Sequence, residues 1–215
     1  SYHYSNGGVP TVKGAIIGGM TASAGPAVGT GQSWLQKSSK YSFPVARIAD
    51  ALLNPGKKID FNGKVITYPD IDFVYWAGGN PFVHHQDLNT LVKAWRKPKT
   101  VVVNEIFWTP TARMADIVMP VTTSYERNDI TMTGDYSNLN IVPMKQAVEK
   151  QFEARDDYQI FSDLAKEFGA FEQFTQNKTD VQWIEEFYTK AYDQGVKANI
   201  KMPNFREFWS KNQPI

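Results

Sequence analysis

Two strand-like apolar runs lie one helix apart, IDFVYWA at 71–77 and TVVVNEIFW at 100–108, and the first closes on a double glycine. Both are too continuous for strands with one face in water, and DLNTLVKAWRK at 87–97 between them has helical periodicity. The pattern predicts a βαβ unit with parallel strands covered on both faces. Ligands of such sheets bind beyond the carboxyl ends of the strands. Gly78, Gly79, Asn80 and Pro81 fall at the first of those ends, Asn104 and Glu105 at the second.

Around that unit, the 215 residues are 42% hydrophobic and 13% aromatic, enough to bury a sizeable core. The 23 Lys and Arg nearly balance the 22 Asp and Glu, giving no electrostatic reason to expect nucleic acid or a membrane surface as partner. The absence of cysteine rules out disulfides, thiolate metal sites and thiol nucleophiles, and leaves the compartment open. No apolar run approaches the roughly 20 residues of a membrane span. SYHYSNGG at 1–8 has neither a Met start nor a signal-like core, and reads as a chain joined in mid-course.

Residues 1–43 are rich in Gly, Ser, Thr and Ala and predict loops around one short strand, GAIIGG at 14–19. A helix is expected with Pro44 in its first turn, Val45, Ile48, Ala49, Leu52 and Leu53 on one face and Asn54-Pro55-Gly56 as its stop. FNGKV at 61–65 suggests a tight hairpin, and DIVMPVT at 116–122 a third buried strand. SYERNDITMTGDYSNLN at 124–140 is polar and long for a connection, so it reads as a functional loop. Helices are expected at 154–169 with Gly169 as stop, at 180–195 between an Asp180 cap and a Gly195 stop, and at 204–211. The fold class expected is α/β, a Rossmann-like three-layer domain with a mostly parallel sheet, plus C-terminal helices.

The glycine turn lets the backbone approach a ligand, and amides around Asn80 can receive a phosphate or a polar heterocycle. A plain strand-to-helix turn aimed by Pro81 explains the same residues. Glu105 follows the turn by roughly 25 residues, near the place where a dinucleotide fold puts a carboxylate on ribose hydroxyls or a base edge. Thr109, Thr111 and Asp116 add hydroxyls and a carboxylate, with helix capping or strand initiation as the alternative. His84, His85 and Asp87 suggest a metal-dependent hydrolase, but adjacent histidines point apart and only one oxygen ligand is near. No nucleophile elbow, P-loop or GxGxxG motif is present.

YWAGGNPFVHHQDLN at 75–89, WTPTARMADIVMPVTTSYERNDI at 108–130, GDYSN at 134–138 and EARDDYQIFSDLAKEFG at 153–169 closely resemble the dimethyl sulfoxide reductase family of molybdenum enzymes. SYHYSNGGVPTVKGA at 1–15 and the stretch from Leu52 to Pro81 extend the likeness over nearly the whole chain. The resemblance implies one of two related α/β domains that grip bis(molybdopterin guanine dinucleotide) carrying molybdenum. Residues 1–170 would form that domain and 171–215 a helical extension packed on it. Gly78, Gly79, Asn80, Pro81, His84 and Gln86 would approach the cofactor, as would Asn104, Glu105, Thr109, Thr111 and Asp116. Glu105 stands where many relatives carry Asp.

The serine that ligates molybdenum in such enzymes has no counterpart here. By resemblance the chain is an internal piece of a periplasmic reductase of trimethylamine N-oxide or a related N- or S-oxide. It would be inactive alone, with or without bound cofactor. Its partners would be the remaining domains of the parent, the small oxide substrate and an electron-donating cytochrome. Rival readings are a non-catalytic nucleotide-binding or assembly module on the same fold, and a piece of a biotin sulfoxide or dimethyl sulfoxide reductase.

Overall fold

The computed structural model describes residues 45–61, 63–132 and 140–215. The strand expected at 14–19, Pro44 and all of GDYSN lie outside the described residues. The chain divides at Val121/Thr122 into two compact units.

In the first unit, a 3-10 turn at Val45–Arg47 leads into α1 (Ile48–Leu53), which buries Ala49, Ala51 and Leu52. Asn54 caps it and Gly56 turns the chain away at φ 80°, as the Asn-Pro-Gly stop predicts. Next come β1 (Lys58–Phe61) and β2 (Lys64–Thr67), antiparallel, with Phe61 opposite Lys64. The antiparallel pairing is the expected hairpin, and Gly63 takes a left-handed φ of 73° in its turn. Asp50 ties the hairpin base to α1, accepting from Lys57 Nζ at 2.9 Å and Tyr68 Oη at 3.0 Å.

The βαβ unit forms as the periodicity demands. β3 (Phe73–Ala77) is followed by α2 (Pro81–His84), α3 (Leu88–Trp95) and β4 (Thr100–Glu105), and β5 (Ile117–Pro120) adds a third parallel strand in the order β3-β4-β5. Asp87 caps α3 by accepting from Thr90 N at 3.0 Å. The Leu91, Ala94 and Trp95 face of α3 packs with Val101 and Val103 of β4 and with Phe82. Burying each such large side chain is worth about 1.5–3 kcal/mol.

Cover on both faces holds for β4 alone. Val101 to Asn104 are buried, whereas Phe73 and Ile117 are exposed on the two strands that flank β4 among the described residues.

The second unit contains a hairpin, β6 (Asp129–Met132) against β7 (Ile141–Met144), inside and just beyond the stretch expected to be one long loop. Four helices follow: α4 (Asp157–Glu167), α5 (Phe171–Thr175), α6 (Asp180–Lys197) and α7 (Phe205–Lys211). Thus α4 and α5 share one unit across the 170/171 boundary drawn from sequence. Gly169 ends α4 at φ 67°, as expected.

Gly195 does not end α6. The helix runs two residues past it, and a Cβ at Gly195 would sit 2.5 Å from Met202 Sδ, so the glycine makes room for packing. The core here joins Ile141, Tyr188, Ala191 and Phe208, with Tyr188 stacked on Phe208 at a centroid distance of 4.2 Å. Burial pushes the Tyr188 hydroxyl up to about 12, and it donates to Pro203 O at 2.6 Å. Among the described residues no helix is long and apolar enough to cross a membrane. The mixed α/β class, the parallel sheet and the C-terminal helices agree with the sequence expectation.

Candidate functional site

Ala77 pairs with Asn104, so Gly78 leaves β3 level with Glu105 at the carboxyl edge of the sheet. Gly78 and Gly79 take φ of 81° and 83°, a left-handed pair that residues with a Cβ adopt only with strain. A Cβ built on Gly78 meets nothing within 4 Å, and one on Gly79 meets only Trp76 Nε1 at 3.8 Å. The turn is therefore open on its outer side. Trp76 Nε1 donates to Gly79 O at 3.2 Å and fixes its inner side.

Asn80 and Thr111 tie this turn to the β4–β5 connection. The fully buried Thr111 hydroxyl donates to Asn80 Oδ1 and accepts from Phe82 N at 3.3 Å. The Asn80 Nδ2 hydrogens keep no partner among the described residues. Asn104, 3% exposed, accepts from Tyr75 Oη at 2.9 Å and so braces the sheet.

Glu105 turns inward on its own loop. Its Oε1 accepts from Ile106 N at 2.9 Å and its Oε2 from Thr109 Oγ1 at 2.9 Å. Thr109 Oγ1 also accepts from Ala112 N at 3.2 Å, starting a 3-10 turn at Ala112–Met114 much as the capping alternative expects.

Gly78, Gly79, Asn80, Pro81, Asn104, Glu105, Thr109 and Thr111 are thus brought to one edge. Pro81 is buried at the start of α2, while His84 and Gln86 are exposed around its end. Asp116 is not among them. It precedes β5 at the amino end of the sheet, where Oδ2 accepts from Val101 N at 2.8 Å and its own N donates to Val101 O at 2.9 Å. Four residues of strand at ~3.3 Å each separate Val101 from Glu105.

Asp87, offered as a metal ligand, instead accepts from Thr90 N and from Thr90 Oγ1 at 2.6 Å. Among the described residues no group of three or more His, Cys, Asp or Glu is arranged to hold a metal. Both ring nitrogens of His85 are covered and lack a hydrogen-bond partner, a demand that spacing gives no means of seeing.

Sequence reasoning also misses a cavity of about 390 Å³ in the second unit, lined by Arg127, Asp129, Asp157, Tyr158, Trp183 and Phe187 among others. Arg127 is held there by Thr122 O at 2.7 Å and Asp129 Oδ2 at 3.3 Å. Tyr158 Oη donates to Lys178 O at 2.6 Å and accepts from Trp183 Nε1 at 3.1 Å. Its walls come from separate stretches of chain, and no local motif joins them.

A family model described as Molybdopterin oxidoreductase matches residues 8–167. The chain is 61% identical over 215 residues to the trimethylamine-N-oxide reductase of Haemophilus influenzae, covering 100% of this chain and 26% of that protein. It is 52% identical over 211 residues to the dimethyl sulfoxide/trimethylamine N-oxide reductase of Cereibacter sphaeroides, covering 98% of this chain and 25% of that one. Among solved structures, acetylene hydratase from Pelobacter acetylenicus matches with a TM-score of 0.51 at 22% identity, over 68% of this chain and 18% of that chain, a likeness of fold. The chain spans about a quarter of the length of the curated relatives it matches.

Proposed function

The chain belongs to the molybdopterin oxidoreductase family, and from that premise we propose that it is a guanine-dinucleotide-binding part of a molybdenum reductase acting on trimethylamine N-oxide or a related N- or S-oxide. The observation that carries the reading is the open double-glycine turn at the carboxyl end of a parallel strand. Identity to named N-oxide reductases along the full chain supports the substrate class.

The residues present fit such a group. Where a side chain would stand over Gly78 there is free space, so backbone amides can approach a phosphate. Thr111 holds Asn80 by its oxygen and leaves its amide hydrogens to donate. Glu105 and Thr109 set the shape of the neighbouring loop. The group supplies, when bound, two-electron oxygen-atom transfer at molybdenum. This part of the protein contributes binding and orientation. The proposal includes a periplasmic setting and a cytochrome as electron donor, both supported by family resemblance alone.

The test uses the full-length reductase that carries this chain. Purified protein is assayed for molybdenum, for guanosine monophosphate released by acid, and for trimethylamine N-oxide-dependent oxidation of a reduced viologen. Guanosine monophosphate in excess of molybdenum, together with oxide-dependent turnover, is expected. Protein without guanine nucleotide would overturn the reading.

A further inference from the structure

Beyond the carboxyl end of β4 the chain shows three large apolar side chains in succession, with Ile106 43% exposed and Phe107 and Trp108 each 69% exposed. We propose that Phe107 and Trp108 form a stacking platform for the flat purine base of the bound nucleotide, an assignment that rests on the cofactor-binding reading above.

The loop that displays them is fixed at both feet. Glu105 takes Ile106 N on one oxygen and the Thr109 hydroxyl on the other, each at 2.9 Å. Thr109 N donates to Phe107 O at 2.8 Å, and Arg113 N to Thr109 O at 3.1 Å. Val121 N donates to Glu105 O at 3.2 Å and ties the same foot to the chain leaving β5. The backbone that carries the two rings is therefore held in place before any ligand arrives, which lowers the ordering penalty on binding.

Neither ring has an aromatic or cationic neighbour among the described residues. By contrast Trp76, Phe82 and Trp95 pack together, with ring centroids 5.5 and 5.3 Å from Trp95. Their place selects the occupant. The register that pairs Ala77 with Asn104 sets the open Gly78-Gly79 turn beside this loop, at the edge where parallel sheets receive ligands. A nucleotide with its phosphates near the glycines brings its base to the neighbouring loop.

The Glu105 carboxylate is engaged by that loop, so what the loop offers outward is an aromatic face. Every base presents a π-face, and stacking on an aromatic side chain is a substantial, sequence-tolerant contribution to binding.

The full-length reductase that carries this chain, purified free of its cofactor, is titrated with guanosine diphosphate and, separately, with inorganic pyrophosphate, by calorimetry and tryptophan fluorescence. Wild type is compared with Trp108→Tyr, which keeps a ring face, and Trp108→Leu, which keeps apolar bulk without one. Both substitutions are at an exposed position and leave the core intact.

The diphosphate is expected to bind wild type and Trp108→Tyr within a few-fold of each other. Trp108→Leu should bind it roughly 5- to 150-fold more weakly, the range of base–aromatic stacking. It should also lose the fluorescence quenching, with pyrophosphate affinity alike in all three. Equal affinity of Trp108→Leu and wild type for the diphosphate would overturn the platform and assign the rings to contact with another protein segment. A wild type that binds the diphosphate no better than pyrophosphate, or binds neither, overturns it too. The cofactor reading stands or falls separately, on the nucleotide content of the full-length reductase.

Discussion

Glu126 and Glu105 are acidic side chains whose oxygens organise the backbone around them. Glu126 is 5% exposed, and its Oε2 accepts from Thr123 N and Thr123 Oγ1, each at 2.7 Å, while Oε1 accepts from Gln151 N at 2.8 Å. The Thr123 amide, then the Thr123 hydroxyl and the Gln151 amide, hold its carboxyl below the usual glutamate value of 4.5. A carboxyl with a lowered folded-state pKa stabilises the fold above its unfolded value and loses that contribution as pH falls through the lowered one. Replacement Glu126→Gln should therefore reduce the urea midpoint most near neutrality, and the gap from wild type should close on acidification below 4.5. A gap independent of pH would show that the carboxylate charge has no part in the clamp. The sequence displays Glu126 without its partner Gln151, because 25 residues of separation carry no periodic signal. Gly78 and Gly79 were legible because few other residues tolerate their backbone angles. Asp116 was legible only as one of two alternatives, and the strand-initiating one is the place it takes, before β5 with its carboxylate on Val101 N.

At the scale of elements, α6 shows how a cap is chosen among rivals. Sequence reading puts the N-cap at Asp180, but the structure uses Thr179, whose hydroxyl accepts from Gln182 N while the Gln182 side chain accepts from Thr179 N. The Thr-x-x-Gln spacing that starts at Thr179 completes this reciprocal pair, and Asp180 follows it as a first-turn acid. Thr179→Ala should lower unfolding free energy by about 0.5–2 kcal/mol in denaturant titrations. Asp180→Ala should lower it by only about 0.3–1 kcal/mol, the range of a charge near a helix end. The reverse order would return the cap to Asp180. The β6–β7 hairpin escaped reading for another reason. β6 alternates as Asp-Ile-Thr-Met and β7 is an apolar run, Ile-Val-Pro-Met, but each has only four residues, and Pro143 within the second argues against a strand, so the surrounding polar stretch outweighs them.

Over the whole molecule, apolar surface is spread widely across both units. Phe152 is 102% exposed, Phe168 84% and Tyr125 70%, apart from the two rings given to the nucleotide. Large exposed rings of this kind mark interaction surfaces. The isolated chain should self-associate, with light-scattering mass rising with protein concentration, and a monodisperse monomer across the range would refute this. By itself the sequence determined the α/β class, the βαβ unit, the glycine turn and the helical C-terminal part. Those features follow from hydrophobic period and backbone-specific residues, which are local properties of the chain. Only the tertiary structure decided that Glu105 faces its own loop, that the Asp116 carboxylate takes Val101 N, that the chain parts at Val121/Thr122 and that Phe107 and Trp108 stand exposed. Each of these depends on which distant groups meet once strands pair and side chains pack, and no local pattern encodes such meetings.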